Sequence, residues 1–251
     1  MSTLRTDIYE GPGDRPLLLV HGLFGSARNF STMARKLSDK RTIIVPDMRN
    51  HGTSPRFSTQ SYFDMAGDLA ALINEPMDVV GHSMGGKAAM VLALTQPQKV
   101  ASLIVADIAP VGYRHTQLPL IEAMQRLDLS GISSRRDADN ALAQSVAEPA
   151  VRAFLLQSLD VADKRWRLNL DVLGAEMDKI IGFPAMSQHY GGPTLFLRGG
   201  KSDYVQDASH AEINRLFPNA THQELPNAGH WLHAEDPSGF EAACRTFLAG
   251  L

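Results

Sequence analysis

The chain predicts an α/β fold: a doubly wound, mostly parallel central sheet carrying an inserted helical lid. Three observations support this. Short runs rich in β-branched residues alternate with helical patterns. Those runs are apolar on both faces, as strands covered by helices on each side must be. One stretch, 112–189, breaks the alternation and shows helical patterns only. A length of 251 residues, with a formal net charge of −3 and 20% charged residues, suits one domain with a sizeable core.

In chain order, strands are expected within "PLLLVHG", "RTIIVPD", "MDVVGHS", "VASLIVADI", "PTLFLRGG" and "HQELPNAG". Helices are expected within "FDMAGDLAALIN", "GGKAAMVLALTQ", "ASHAEINRLF" and "PSGFEAACRTFLAG". The core is therefore assigned to 1–111 and 190–251. The insertion, 112–189, reads as amphipathic helices in "LPLIEAMQRLDLSGI", "DADNALAQSVAEPAVRAFLLQSL" and "LDVLGAEMDKIIGF". A helical block between two core strands is expected to lie over the strands' carboxyl ends, or else to be a subdomain with no part in the site.

Composition narrows the function. The mildly acidic balance and the lack of a long basic run argue against a nucleic-acid surface. With one cysteine, no intrachain disulfide can form, and a reducing compartment is expected. Cys244 sits at helical spacing from Phe240 and Phe247 and reads as a buried apolar residue. The N-terminus "MSTLRTDIYEGPGD" lacks an apolar signal core, and no run approaches the ~20 apolar residues of a membrane span, so a cytoplasmic protein is expected. No His, Cys, Asp and Glu set has metal-ligand spacing and no phosphate-cradling loop precedes a helix, so no cofactor is expected. Monomer and homodimer both remain open.

The chemistry concentrates at strand ends. Gly81, Ser83 and Gly85 form a G-x-S-x-G pattern that follows an apolar strand and opens a helix. In that setting the glycines permit a sharp turn that exposes the hydroxyl, and the helix N-terminus offers N–H groups to a developing oxyanion. The bland alternative is a glycine-rich turn with a passive serine. A serine nucleophile needs a base. Of nine histidines, His230 lies in "LPNAGHWLHAEDP", just past the last expected strand, with His233 as its competitor. His21, His51 and His82 read as loop braces.

Two carboxylates could orient that imidazole. "TLFLRGGKSDYV" delivers Asp203 to a strand end, and "VASLIVADIAP" delivers Asp107. Lys87 reads as a helix-surface lysine in an ion pair, and Asp47, Arg49 and His51 as a loop-forming set. Trp166 could cap an acyl channel or pack between lid helices.

Together "VHGLFGSARNF", "DMRNHGTSP", "GHSMGGKAAM", "ADIAP" and "PNAGHWLHAEDP" resemble the α/β-hydrolase fold superfamily. Within it they are similar to small bacterial esterases and thioesterases of the YbfF type, related to ABHD-eleven-like hydrolases. The resemblance implies Ser83 as nucleophile, His230 as base and then acid, and the N–H groups of Leu23 and Met84 as oxyanion donors. Phe24 would line the acyl pocket or pack in the core. In the superfamily's commonest pattern, aligning "TLFLRGGKSDYV" on its first glycine puts Ser202 in the acid's place and Asp203 one step beyond. Ending the strand at Gly200 would restore Asp203. The YbfF-type resemblance favours Asp107 as the acid, with Asp203 the alternative.

The implied activity is hydrolysis of carboxylic esters or thioesters of short to medium acyl chains through an acyl-enzyme. Its partner would be a small-molecule acyl ester or acyl-CoA. The alternatives are lyase, C–C hydrolase or perhydrolase chemistry with the same triad, or a non-catalytic ligand-binding protein.

Overall fold

A computed structural model describes residues 3–251 of the chain. Its sheet has seven strands: β1 (Thr6–Tyr9), β2 (Leu17–Val20), β3 (Ile43–Pro46), β4 (Met77–His82), β5 (Val100–Ala106), β8 (Thr194–Gly199) and β9 (Ala220–Leu225). The spatial order is β1-β3-β2-β4-β5-β8-β9. Only β1 runs antiparallel to its neighbour; the other pairings are parallel. The strand order reverses between β2 and β4, and a crevice outside the carboxyl ends at such a switch point is where doubly wound sheets bind ligands.

The strands divide their apolar residues between two cores by simple alternation. Leu18, Val20, Val79, Leu103, Val105 and Phe196 face the helices α2 (Tyr62–Leu72) and α3 (Met84–Thr95). Leu17, Leu19, Val80, Ile104, Leu195 and Leu197 face α1 (Ser31–Leu37) and α11 (Pro237–Ala249), which follows α9 (His210–Leu216) and the short α10 (Leu232–Glu235). Successive Cβ atoms leave opposite faces of a strand, so a run apolar at every position serves both layers. Helix α3 is buried from Met84 to Leu94 and shows little amphipathicity because it is covered on all sides. Ser61 caps α2 by accepting from the Asp64 N–H at 3.2 Å, and Asp236 caps α11 by accepting from Gly239 at 2.9 Å.

Two elements of the core were not expected. Edge strand β1 is only half-buried, so it lacks the two-sided apolar pattern. Helix α1 follows the 3₁₀ turn Ala27–Phe30 and buries Met33, Ala34 and Leu37.

Between β5 and β8 lie α4 (Leu118–Arg126), α5 (Arg135–Leu142), α6 (Pro149–Leu155), α7 (Leu170–Ala175) and α8 (Met177–Ile181). The helix expected over 137–159 is broken before Pro149, which starts α6 at the position where a missing N–H costs nothing. The expectation of no strand in this segment is corrected by a small antiparallel hairpin, β6 (Leu159–Asp160) with β7 (Arg165–Trp166). It turns near Lys164 at φ 50° and buries Leu159 and Trp166. Asn169 joins the segment to the core loop by donating to Asn50 Oδ1 at 3.0 Å.

Candidate active site

Ser83 stands between β4 and α3 at φ 53°, ψ −122°. Such a left-handed position costs about 1–3 kcal/mol for a residue with a Cβ, and the surroundings must enforce it. Here they do: the Ser83 N–H donates to Ala106 O at 3.0 Å, and its carbonyl accepts from Lys87 N–H at 3.0 Å. A Cβ added to Gly81 would stand 2.5 Å from Gly85 O, so only glycine lets strand and helix approach so closely.

His230 hangs over this turn. Its Nε2 is 3.0 Å from Ser83 Oγ and its Nδ1 is 2.7 Å from Asp107 Oδ2. A carboxylate can only accept, so Nδ1 carries the proton and Nε2 is free to accept from the serine hydroxyl. Asp107 is 0% exposed and takes φ 52° just past β5. Its other donors are the Gly199 N–H at 2.8 Å and the Ser202 hydroxyl, so three protein donors converge on the buried carboxylate. The imidazole is fixed from outside as well. His82 Nε2–H donates to the His230 carbonyl at 2.7 Å, and the Tyr204 ring stacks on His230 at 3.9 Å between centroids.

The structure thus brings Ser83, His230 and Asp107 together and leaves Asp203 apart. Asp203 is exposed, and its carbonyl accepts from Gln206. Ser202, in the acid's place, reaches Asp107 instead. His233 packs on Phe30 at 4.6 Å and on His82 at 4.9 Å, and its Nδ1 has no hydrogen-bond partner.

The turn after β2 presents its N–H groups selectively. Phe24 N–H donates to His51 Nε2 at 3.2 Å and Gly25 N–H to Gly22 O at 3.1 Å. The N–H groups of Leu23 and Met84 have no hydrogen-bond partner among the described residues, and both residues line the cavity beside Ser83. His51 donates through Nδ1 to Arg49 O at 2.8 Å, and His21 donates through Nδ1 to Gly22 O at 2.8 Å while accepting from Met48 N–H at 2.9 Å. Each ring therefore works as a neutral donor and acceptor. Burial, with His21 close by, pushes the His51 imidazole down to about 3, and burial lowers His21 in the same direction. Asp47 accepts from Ala27 and Thr53 N–H groups, both at 2.8 Å, and Arg49 holds Asp68 at 2.6 Å; these residues knit the loop.

A cavity of about 300 Å³ opens on Ser83 and His230. Its apolar wall includes Phe24, Tyr62, Ile108, Phe154, Ile181 and Trp231. Trp166 is not there. Its indole N–H donates to Met124 O at 2.9 Å and its ring is buried within the helical segment, so of the two readings it takes the packing one and not the pocket one; the tryptophan that lines the cavity is Trp231, which packs against Phe154 at 5.3 Å. Lys87 is a correction. It is 1% exposed, and three backbone carbonyls, not a carboxylate, surround its ammonium, which burial pushes down to about 7. A lysine in a G-x-S-x-G-G-K stretch gave no periodic sign of burial, because the whole of α3 is covered.

Sequence reasoning missed Tyr204, Phe154 and Trp231, whereas His82, read as a loop brace, holds the His230 carbonyl. Only Ser202 had a signal, its place in the acid's slot. Cys244 is buried and its thiol is pushed up to about 12. Among the described residues no group of three or more His, Cys, Asp or Glu could hold a metal ion, and no helix is long and apolar enough to cross a membrane.

Comparison with known proteins adds four findings. A family profile described as alpha/beta hydrolase fold matches residues 15–237. A Mus musculus protein named sn-1-specific diacylglycerol lipase ABHD11 is 42% identical over 261 residues, covering 98% of this chain and 85% of that protein. Escherichia coli Esterase YbfF is 37% identical over 240 residues, covering 93% of this chain and 92% of its own. Among solved structures, one described as a marine microorganism esterase superposes with a TM-score of 0.93 at 35% identity, over 98% of this chain and all of that one.

Proposed function

The chain belongs to the α/β-hydrolase fold family, and from that premise we propose that it is a serine hydrolase of carboxylic esters or thioesters with short to medium acyl chains. The observation that carries the reading is the unbroken relay of 3.0 Å from Ser83 to His230 and 2.7 Å from His230 to Asp107. Ser83 Oγ attacks the acyl carbon while His230 Nε2 takes its proton. Asp107 holds the tautomer and stabilises the imidazolium. The N–H groups of Leu23 and Met84 receive the oxyanion, each contributing on the order of 3 kcal/mol to the transition state. The imidazolium then protonates the departing alcohol or thiol. A water molecule, deprotonated by the same ring, releases the acid and restores Ser83.

Two further features support an apolar acyl substrate. The cavity wall is mostly aliphatic and aromatic, which suits an acyl chain in a small-molecule ester or acyl-CoA. The relatives reported above carry the names diacylglycerol lipase and esterase, which fits an ester substrate. In this reading residues 112–189 serve as a lid over a core of 1–111 and 190–251.

The test is a panel of p-nitrophenyl esters and acyl-CoAs of graded length, run beside Ser83→Ala. Turnover should fall by about six orders of magnitude in the variant, as loss of a serine nucleophile does elsewhere. A fluorophosphonate should label the wild type at Ser83 alone. No labelling and no pre-steady-state burst would sink the reading.

A further inference from the structure

Lys87 is a buried lysine that the proposed mechanism does not use. It lies one turn beyond Ser83 on α3, and its Nζ donates to Val111 O at 2.8 Å, Ile181 O at 3.0 Å and Gly182 O at 2.6 Å. Val111 is where the chain leaves the core for the helical segment, and Ile181 and Gly182 are where α8 ends. Three acceptors converging on one atom need three donors. An ammonium supplies them, whereas a planar guanidinium or an amide does not have that geometry.

The surrounding contacts make this a junction. Tyr113 N–H donates to Ile181 O at 3.0 Å, tying the two ends of the segment to each other. Tyr62, from α2, donates its hydroxyl to Ile180 O at 2.5 Å. The rings of Tyr113 and Tyr62 lie 4.6 and 5.7 Å from Nζ, giving the cation aromatic faces in place of water. Lys87 also occupies the place of a helix C-cap for α8, supplying a second donor to Ile181 O and the donor to Gly182 O. Tyr113, Ile180 and Ile181 all line the cavity that holds Ser83.

We infer that Lys87 is a positioning residue for the acyl pocket: it pins both ends of the helical segment to the helix that carries Ser83, and so holds the Tyr113–Ile181 wall at a set distance from the reacting atoms. The inference rests on the esterase reading for what that wall contacts. A lysine is required because the wall's position depends on satisfying three carbonyls at once. A leucine or methionine of similar length would fill the space, leave Val111 O and Gly182 O unpaired, and leave Ile181 O with only the Tyr113 N–H.

The experiment compares wild type with Lys87→Met and Lys87→Gln on p-nitrophenyl acetate and octanoate. In Lys87→Met, kcat/KM for octanoate should fall about thirtyfold, mostly through KM, against about threefold for acetate; Lys87→Gln, which keeps two donors, should fall between. Hydrogen exchange should show the Tyr113 amide losing at least tenfold protection while amides of β4 and β5 keep theirs. Equal fractional losses on the two esters, or unchanged Tyr113 protection in a folded variant, overturn the inference. If neither variant folds, wild type labelled with [15N]lysine decides the matter: one slowly exchanging ammonium resonance is expected, and its absence overturns the clamp. If wild type cleaves no ester, the hydrolase reading fails, while the exchange and resonance readouts still judge Lys87.

Discussion

The two walls of the cavity are built by different physics. The sheet-edge wall is fixed by hydrogen bonds: Asp107 accepts from His230, Gly199 and Ser202, the His230 carbonyl accepts from His82, and Phe24 donates to His51. The wall from the helical segment is apolar contact, with Phe154, Val151 and Leu120 held by packing and its ends held at Lys87. Hydrogen bonds set atoms to within tenths of an ångström, which reaction requires. Packing tolerates exchange of side chains, which lets a pocket change its preference without touching the chemistry.

Substitutions should separate the two walls. The largest difference is expected between the two aspartates. Asp107→Ala should lower kcat by roughly four orders of magnitude, whereas Asp203→Ala should leave kcat within about twofold. An active Asp107→Ala enzyme would break the contrast.

Acid should act on the hydrogen-bonded wall next. Burial lowers His51 to about 3 and His233 to about 4, and holds His82 well below its usual range with His230 and His233 adding to the effect. These rings stay neutral in the folded chain while the unfolded chain protonates them near 6.5. The stability they provide is therefore present above about pH 6.5 and is lost as pH falls toward 4, by on the order of 1 kcal/mol per pH unit for each ring. Urea unfolding at pH 7, 6 and 5 measures this, and replacing His233 with Phe should flatten the slope.

Within the helical segment, Trp166→Ala should cost about 3–5 kcal/mol of stability, since it removes a fully packed indole. Thermal unfolding would register that loss, with no change in acyl-length preference. Phe154→Ala should show the reverse and the smallest effect, about a fivefold rise in KM for octanoate with little loss of melting temperature. Reversed outcomes for the two would place the acyl wall elsewhere.

Much of this was legible in the residues. The alternation of two-sided apolar runs with helices foretold the parallel sheet, and the glycines around Ser83 foretold its exposed turn. The resemblance to YbfF-type esterases and ABHD-eleven-like hydrolases is borne out by the relatives found. Lys87 was misread because α3 carries no polar face against which a buried lysine would look out of place. The choice between pocket and packing stayed open for Trp166 because the hairpin that turns it inward is only two residues long on each side. β1 escaped notice because an edge strand needs apolar side chains on one face at most.

Local chemistry along the chain thus set which segments become strands, where the sharp turns fall and which side chains end at the same edge of the sheet. Those properties depend on neighbours within a few positions, so they can be read from order alone. Partnership could not be. Whether His230 meets Asp107 or Asp203 depended on how the loops after β5 and β8 fold against each other, and there Ser202 and the Gly199 N–H gather around Asp107 while Asp203 turns to solvent. Contacts across 123 positions of chain are decided by packing in three dimensions.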